Sequence, residues 1–506
     1  MKIFLLIEPH FRDVPLTMTR ELMNRLPGTS AHALSSFPKE LFDPDQVASC
    51  PGLSSLDYLP DLERKWLESP SDLARLEAYD RRFGDSRLRM LVASDREFVD
   101  GFLEPGLTPK SRIMRIVADD EMRHRYLLGM LDYFVRLFEQ LKPDLVLCST
   151  IDWIWKYAAG LVAGHQGIPC LQFSGNRIGR FSLDTDLNQT NEPQGWMFEQ
   201  ALKAPELLAH RLDEARRILD EIRSGTKSNP VMDSVIDWSQ SISSFSFIIK
   251  QVTRIGSLIK SLRRGQTTLR SIPRWERLRY DISRVINAKR IERRRWTLQR
   301  DELPSGVFAY YPLHFQPEVA LQIQAPMHTN QVAVIEALAK SLPIAAKLVV
   351  KEHIPMIGAR PPSFYARIAA MPDVVLASPW TDSLKLIKRS SLTCVITGTA
   401  GLEAIFMQRP ALVMGFPDYL SLGQGFVHCP NLSALPDLLP KAMQQPPVED
   451  SRLVLYIASM LERSFPVQPP LLVEPGDSIQ AGNPKMISGA CDELLRVLEE
   501  TKTRKA

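Results

Sequence analysis

Apolar and polar positions along the chain alternate between two regimes. Short runs of apolar, often β-branched residues, such as 3–7, 145–148 and 348–350, separate stretches where apolar residues recur every three or four positions. The short runs read as buried strands and the periodic stretches as helices. Residues 3–7 are a strand on this reading and 16–26 a helix, followed by a loop- and helix-rich region from about 40 to 115. Leu127, Leu128, Leu131, Phe134, Leu137 and Phe138 fall at helical spacing, predicting a long helix over 118–141 that Pro143 ends. Residues 145–148 make the next strand, Ser149 to about Gln166 a helix, and 168–173 a further strand. Strand, helix and strand joined by a short crossover imply parallel, right-handed pairing. The same logic returns from 304 to about 440.

These patterns predict an α/β protein with two Rossmann-like domains. The expected divisions are 1–195 for the first domain, 196–303 for a basic, mainly helical insertion, 304–440 for the second domain and 441–506 for a tail. The tail has Pro-rich stretches around 466–476, a final helix through Leu494, Leu495 and Leu498, and a frayed end over 501–506. A chain of 506 residues that is 44% hydrophobic can bury two ordinary cores. Its six cysteines (Cys50, Cys148, Cys170, Cys394, Cys429 and Cys491) lack metal-ligand spacing. Cys148, Cys170 and Cys394 sit in apolar runs and read as buried small hydrophobes, which fits a reducing, cytoplasmic setting. The opening residues read as a buried strand rather than a signal peptide, and no run reaches the roughly 18 apolar residues of a membrane span.

Charge changes this picture in one place. Residues 251–300 hold fifteen Lys/Arg and three Asp/Glu, a local net of +12 that leaves the other 456 residues at −8. Such asymmetry suggests an anionic partner. Just upstream, Phe245, Ile248, Ile249, Val252, Ile255, Ile259 and Leu262 share one helical face, while Lys250, Arg254, Ser257, Ser261 and Arg264 share the opposite one. The pattern fits an interfacial helix on an anionic inner leaflet, making 245–300 a candidate membrane-surface segment. It equally fits a stripe packed on the protein's own domain with solvated charges. Trp275, Tyr280 and Trp296 are interleaved with arginines, yet no nucleic-acid module surrounds them, so nucleic acid is not the expected partner.

Three clusters carry candidate chemistry. Thr397-Gly398-Thr399-Ala400-Gly401 follows an apolar run and opens a short helix, so its backbone N–H groups can approach an anion at the helix N-terminus. Glu403, in the first turn, is placed for a sugar or ribose hydroxyl. Lys351 and His353 end the strand at 348–350, where ligands of open α/β sheets bind, and can meet a phosphate and a leaving-group oxygen. Tyr310-Tyr311-Pro312-Leu313-His314-Phe315-Gln316-Pro317-Glu318 follows a strand at 307–309 and suits a loop lining a cleft, where His314 and Gln316 can contact a ligand, as donor or acceptor contacts if the site is a transferase's. Each has a plainer reading: an ordinary β–α turn, a solvated loop, and aromatics that simply pack.

Taken together and in this order, the three motifs resemble the capsular or surface polysaccharide biosynthesis proteins, a group related to the retaining Kdo transferases of capsule assembly. The resemblance covers about residues 305–430. It implies a GT-B glycosyltransferase: two Rossmann-like domains facing a cleft, the second binding a nucleotide sugar, plausibly a CMP-activated acid sugar. It also implies a lipid-linked or glycan acceptor and a C-terminal helix that crosses back to the first domain. Bacterial sialyltransferases of this architecture place a His-Pro pair and a Ser/Thr pair around the CMP phosphate. Here Ile354 separates His353 from Pro355, and Thr397 and Thr399 flank Gly398 where the hydroxyl pair would lie.

The group that activates the acceptor would come from a strand end of the first domain. Asp152, after the strand at 145–148, is the first candidate, with helix capping as its alternative role. Glu8 and His10, after the first strand, are the second choice. Arg177 and Arg180 can clamp a carboxylate or phosphate, or pair with Asp184 and Asp186. Asp119, Asp120 and Glu121 open a helix and read as favourable dipole chemistry. No metal-binding cluster is seen, so a transferase without metal or cofactor is the expectation. Two other classes stay in view: a nucleotide-sugar 2-epimerase, which needs no acceptor and no basic insertion, and a non-catalytic component of a polysaccharide assembly complex.

Overall fold

The structure, a computed structural model, describes residues 1–8, 11–36, 50–84, 87–98, 104, 106–225, 268–292, 298–300, 302–466 and 483–505. The strands are β1 (Lys2–Ile7), β2 (Ser30–Ser35), β3 (Leu53–Tyr58), β4 (Leu145–Cys148), β5 (Cys170–Gly175), β6 (Arg180–Asp184), β7 (Val307–Pro312), β8 (Ala346–Lys351), β9 (Val374–Ala377), β10 (Leu392–Val395), β11 (Ala411–Val413), β12 (Phe426–His428) and β13 (Phe465–Pro466). They form two sheets, ordered β13-β6-β5-β4-β1-β2-β3 and β12-β11-β10-β7-β8-β9. The second is parallel throughout. The first is parallel from β3 to β5 and gains antiparallel β6 and β13 at one edge. The second sheet has the Rossmann order, and the parallel part of the first follows it for five strands. The chain is therefore an α/β protein of two Rossmann-like domains.

Both sheets are covered on both faces, which is why their strands read as continuous apolar runs. Phe4 and Leu6 of β1 pack under the helices Asp120–Leu141 and Ile154–His165, while Ile3, Leu5 and Ile7 face Asp13–Arg25 and Pro484–Lys505. In β7, Phe308 and Tyr310 point to one core and Ala309 and Tyr311 to the other. Asp119 caps the long helix by accepting from the Met122 N–H (3.0 Å), consistent with the dipole reading of that acidic cluster.

The expected organisation needs three corrections. Residues 196–225 do not belong to an insertion: the helices Glu192–Lys203 and Leu212–Ser224 pack with Asp450–Glu462 in the core of the second domain. Helical periodicity shows an apolar face without showing which core receives it. The described part of the basic segment is also integrated. Leu269 and Ser271 accept backbone hydrogen bonds from Ile113 and Arg112 of the first domain. The helix Arg274–Glu292 lies on the second, where Asn287 Nδ2 donates to the Gly358 carbonyl (3.3 Å). Gly358 has φ +77°, and a Cβ there would meet the Arg284 carbonyl at 2.2 Å, so only glycine admits this helix. The apolar and basic stripes of 245–264, Trp296, and most of the Pro-rich 466–476 stretch lie outside the described residues. Lastly, 501–505 continue the final helix rather than fraying, with Thr501 Oγ1 bonded to the Val497 carbonyl at 2.8 Å.

The tail serves both domains. Asp450–Glu462 packs on the second, then β13 pairs with β6 and Pro484–Lys505 closes the first. Arg463, fully buried, fastens this return: Nε lies 2.7 Å from Glu493 and Nη1 2.6 Å from Glu500. No described helix is long and apolar enough to cross a membrane. Breaking a buried ion pair on one side leaves an uncompensated charge. Arg463→Met should therefore cost about 3 kcal/mol or more of stability, read as a lowered urea midpoint, whereas Arg64→Met, on an exposed pair, should leave the midpoint unchanged.

Candidate functional site

Ligands of open α/β sheets bind beyond the carboxyl ends of the strands, at the point where strand order reverses. In the second sheet that point lies between β7 and β10. The chain leaving β7 supplies His314, and the chain leaving β10 supplies Thr397 and Gly398. The two meet: the Thr397 N–H donates to His314 Nε2 at 3.2 Å. Nε2 is thus an acceptor, so Nδ1 of the neutral ring carries the hydrogen. That buried Nδ1 has no partner, and neither has the buried Nδ1 of His353. Buried polar atoms are normally satisfied, and orphans at a strand-end crevice mark a place for a ligand.

A guanidinium underneath sets this geometry. Arg360 is fully buried; Nε lies 2.9 Å from Glu352, Nη1 donates to Gln316 Oε1 (3.0 Å), and Nη2 donates to the His314 carbonyl. Glu352 also accepts from Tyr365 Oη (2.6 Å) and from the His353 N–H (2.7 Å). Gln331 completes the frame, accepting from the His314 N–H (2.8 Å) and donating to Gln316 Oε1 (2.9 Å). One cation therefore ties the loop after β7 to the end of β8.

On this frame sit groups with shifted protonation. Burial pulls Lys351 down to about 8, with Glu352, Asp382 and Glu403 pushing back. Its Nζ donates to Ser383 Oγ at 3.0 Å. Burial, reinforced by the charges of Lys351 and Arg360, holds His353 down to about 4, and His314 is held to about 3 by burial, His353 and Arg360. Both imidazoles are neutral near pH 7. Burial raises Glu403, although Arg177, a hydrogen bond from Thr399 and Lys351 favour its ionised form.

The first sheet presents its own reversal point, between β1 and β4. Glu8 follows β1 and Ser149 follows β4; Ser149 Oγ donates to Glu8. Fully buried Lys156 lies 2.8 Å from Glu8 and also pairs with Asp152. Burial opposes the Lys156 charge, but Glu8 and Asp152 outweigh it and its pKa is raised. Arg96 reaches Asp152 at 3.4 Å. Between the two domains stands Glu318, in the loop after β7. Its carboxyl is raised by burial and opposed by Arg96 and Arg177, both from the first domain. Arg177 in turn lies 3.9 Å from Asp418 of the second.

Several candidates from the sequence thus converge. His314, Lys351, His353, Thr399 and Glu403 line one crevice, with Arg177 facing it. Glu8 and Asp152 lie at the opposite reversal point, and His10 lies outside the described residues. Others are committed elsewhere. Gln316 is 3% exposed, and its amide is spent on Thr329, Gln331 and Arg360. The Thr397 hydroxyl donates to the Ala320 carbonyl at 2.7 Å, so only Thr399 of the hydroxyl pair remains at the surface. Gly401 is a packing residue: a Cβ there would lie 2.3 Å from Tyr419 Oη and 2.8 Å from Val395. Gly398 is less tight, since a Cβ there would lie 3.1 Å from His314 Nε2, and Ala400 is buried, which limits both to backbone contacts. Arg180 does not join the clamp; it donates to the Ser464 hydroxyl (2.9 Å) and carbonyl (3.0 Å). Neither arginine pairs with Asp184 or Asp186, whose carboxylates accept from their own loop. Asp152 is not the helix cap either. Trp153 holds that position, and Asp95 accepts from the Ile154 N–H at 2.6 Å.

The sequence reading left out Arg96, Ser383, Arg360 and the role of Glu318. Glu318 stood inside the quoted motif, but its cationic neighbours come from residues more than a hundred positions away. Among the described residues no group of three or more His, Cys, Asp or Glu is gathered to hold a metal ion.

No protein-family model matches the chain, and no curated protein matches it. Among solved structures, the chain is similar to the beta Kdo 2,4 transferase of Thermosulfurimonas dismutans KpsC, with 13% identity, coverage of 63% of this chain and 79% of that one, and a TM-score of 0.32. The beta Kdo 2,7 transferase of the same KpsC aligns at 12% identity over 72% and 89% of the two chains, with a TM-score of 0.30. The UDP-GlcNAc 2-epimerase of Methanocaldococcus jannaschii, bound to UDP-GlcNAc and UDP, aligns at 10% identity over 91% and 99%, with a TM-score of 0.26. The two-domain plan described above rests on the strand order itself.

Replacing Arg360 would strand the Glu352 carboxylate in the core. Arg360→Met should destabilise the protein by about 3–5 kcal/mol, and a paired Arg360→Met/Glu352→Gln change should recover part of that loss in the same denaturation measurement.

Proposed function

We propose that this protein is a glycosyltransferase that moves a sugar from a nucleotide-sugar donor to a glycan or lipid-linked acceptor of a surface polysaccharide. The observation that carries this reading is the crevice at the second sheet's reversal point. There a buried lysine, two neutral imidazoles with unpartnered Nδ1 atoms and a helix N-terminus converge, and Arg177 of the other domain faces them. Lys351 and the N–H groups at the start of helix Thr399–Phe406 would receive the donor phosphate. His353 would hydrogen-bond the leaving oxygen, and Glu403 with Thr399 would orient a ribose or sugar hydroxyl. Side-chain cations do this work in our scheme, with no resident metal or cofactor, and the protein would act in the cytoplasm, where nucleotide sugars are available.

Acceptor activation is assigned to Glu318. A general base works best with its pKa near the operating pH, and burial moves Glu318 in that direction. Asp152, which pairs with Lys156 and Arg96, would position those cations. In the transfer step the acceptor oxygen forms its bond to the anomeric carbon while its proton passes to Glu318. The bond from that carbon to the phosphate oxygen breaks, and the electron pair leaves with the nucleotide toward Lys351. A CMP-activated acid sugar is the donor we favour.

Calorimetry with CMP, CDP, UDP and GDP tests the donor site. Selective CMP binding, weakened about tenfold or more by Lys351→Ala, is the expected result. Protonated Lys351 is the form a phosphate prefers, so affinity should hold below about pH 8 and fall above it, approaching tenfold per pH unit. The Lys351→Ala variant should lose that slope. A preference for UDP would favour a hexose transferase or the epimerase, and no binding by any nucleotide would sink the donor-site reading. Separately, Glu318→Gln should lower kcat by about 10²–10⁴ while nucleotide affinity stays at the wild-type value.

A further inference from the structure

The helix Arg274–Glu292 carries a second feature that donor binding does not use. Tyr280, Ala288 and Ile291 turn inward, and the helix is anchored by Tyr280 Oη to the Leu107 carbonyl (2.9 Å) and by Arg284 Nε to the Ile357 carbonyl (3.2 Å). The exposed side of the helix carries an apolar stripe among basic residues. Trp275, Leu278, Ile282 and Ile286 are 55%, 59%, 51% and 44% exposed. At 3.6 residues per turn these four fall within roughly 80° of the circumference, a continuous stripe over three turns. Exposed Arg279 and Arg290 flank it on one side, and exposed Lys289 stands at its C-terminal end. The acidic groups nearby are matched locally: Glu276 lies 2.9 Å from Arg115 and Asp281 3.6 Å from Arg277. Arg115 also sits 5.0 Å above the Trp275 ring.

We infer that this face docks on an anionic lipid surface, with the helix lying in the plane of the interface. An amphipathic helix with an apolar stripe, a basic flank and a tryptophan at one end is matched by an acyl boundary beneath charged headgroups. Charge selects the occupant. A second copy of the chain would bring the same positive face against itself, and a nucleic acid offers no apolar acceptor for Leu278, Ile282 and Ile286. The wider segment agrees, since residues 251–300 hold fifteen Lys/Arg against three Asp/Glu. The inference stands on this face alone and does not depend on the transferase reading.

The test is co-sedimentation of the full chain with phosphatidylcholine vesicles and with vesicles that also contain phosphatidylglycerol, at low and high salt. The wild type should sediment with the anionic vesicles, more weakly at high salt, and not with the neutral ones. Leu278→Glu/Ile282→Glu should reduce binding about tenfold or more. Ile344→Glu, which adds charge at a 97% exposed site away from this face, should leave binding unchanged. Unaltered binding by the double variant would assign attachment to another segment, such as 245–262, and overturn the proposal, as would failure of the wild type to sediment. Nucleotide binding by the same variants should match the wild type, which keeps this result separate from the fate of the donor site.

Discussion

The second domain's crevice depends on one buried cation. Arg360 has no access to solvent, yet its guanidinium spans the loop after β7 and the end of β8 through Gln316, the His314 carbonyl and Glu352. A charge so placed is tolerated only when its donors are matched, and matching them fixes the backbone that carries His314 and His353. Pre-organisation of those two imidazoles is therefore a by-product of satisfying an arginine. Its field does further work, since it is among the charges that keep both rings neutral.

Above this frame the cleft is lined by charges of alternating sign drawn from both domains. Asp152 meets Arg96, Arg96 and Arg177 face Glu318, and Arg177 and Lys351 face Glu403. Such alternation lets many ionisable groups share a water-poor space, because each charge is offset by its neighbours rather than by solvent. Burial shifts the protonation of Glu318, Lys351 and Glu403 while their opposite-sign neighbours hold that shift in check, and clusters of shifted groups in a cleft are a mark of candidate chemistry.

The sequence made the sheet plan legible where strands are buried on both faces. Ile3 to Ile7, Leu145 to Cys148 and Leu348 to Val350 have no polar interruption, and each forms a parallel strand. It was silent about β2 and β6, whose Ser30–Ser35 and Arg180–Asp184 mix polar and apolar residues without a clear period. Three clusters at strand ends were also readable, because glycine and charged residues interrupt apolar runs there. Which atoms are free within a cluster was not. Thr397 and Gln316 have the right chemistry for a ligand, but the Ala320 carbonyl and Arg360 take up their hydrogen-bonding capacity. Gly401 looked like a phosphate glycine and is instead the notch that admits Tyr419. Contacts of this kind are set by tertiary packing and leave no local trace.

The first sheet is closed by strand β13, and its outer layer by the helix Pro484–Lys505, so one domain is assembled from both halves of the chain. Arg180 and its partner Ser464 are 284 residues apart. At about 5–20 residues per second of synthesis, some 15–60 s separate the emergence of β6 from that of the strand that covers it. During that interval β6 is an open sheet edge on the nascent chain, able to pair with a neighbouring polypeptide. The second domain, contiguous between those two moments, can fold first and deliver β13 to its place. The order of maturation in the cell would then run opposite to the order of the domains in the gene.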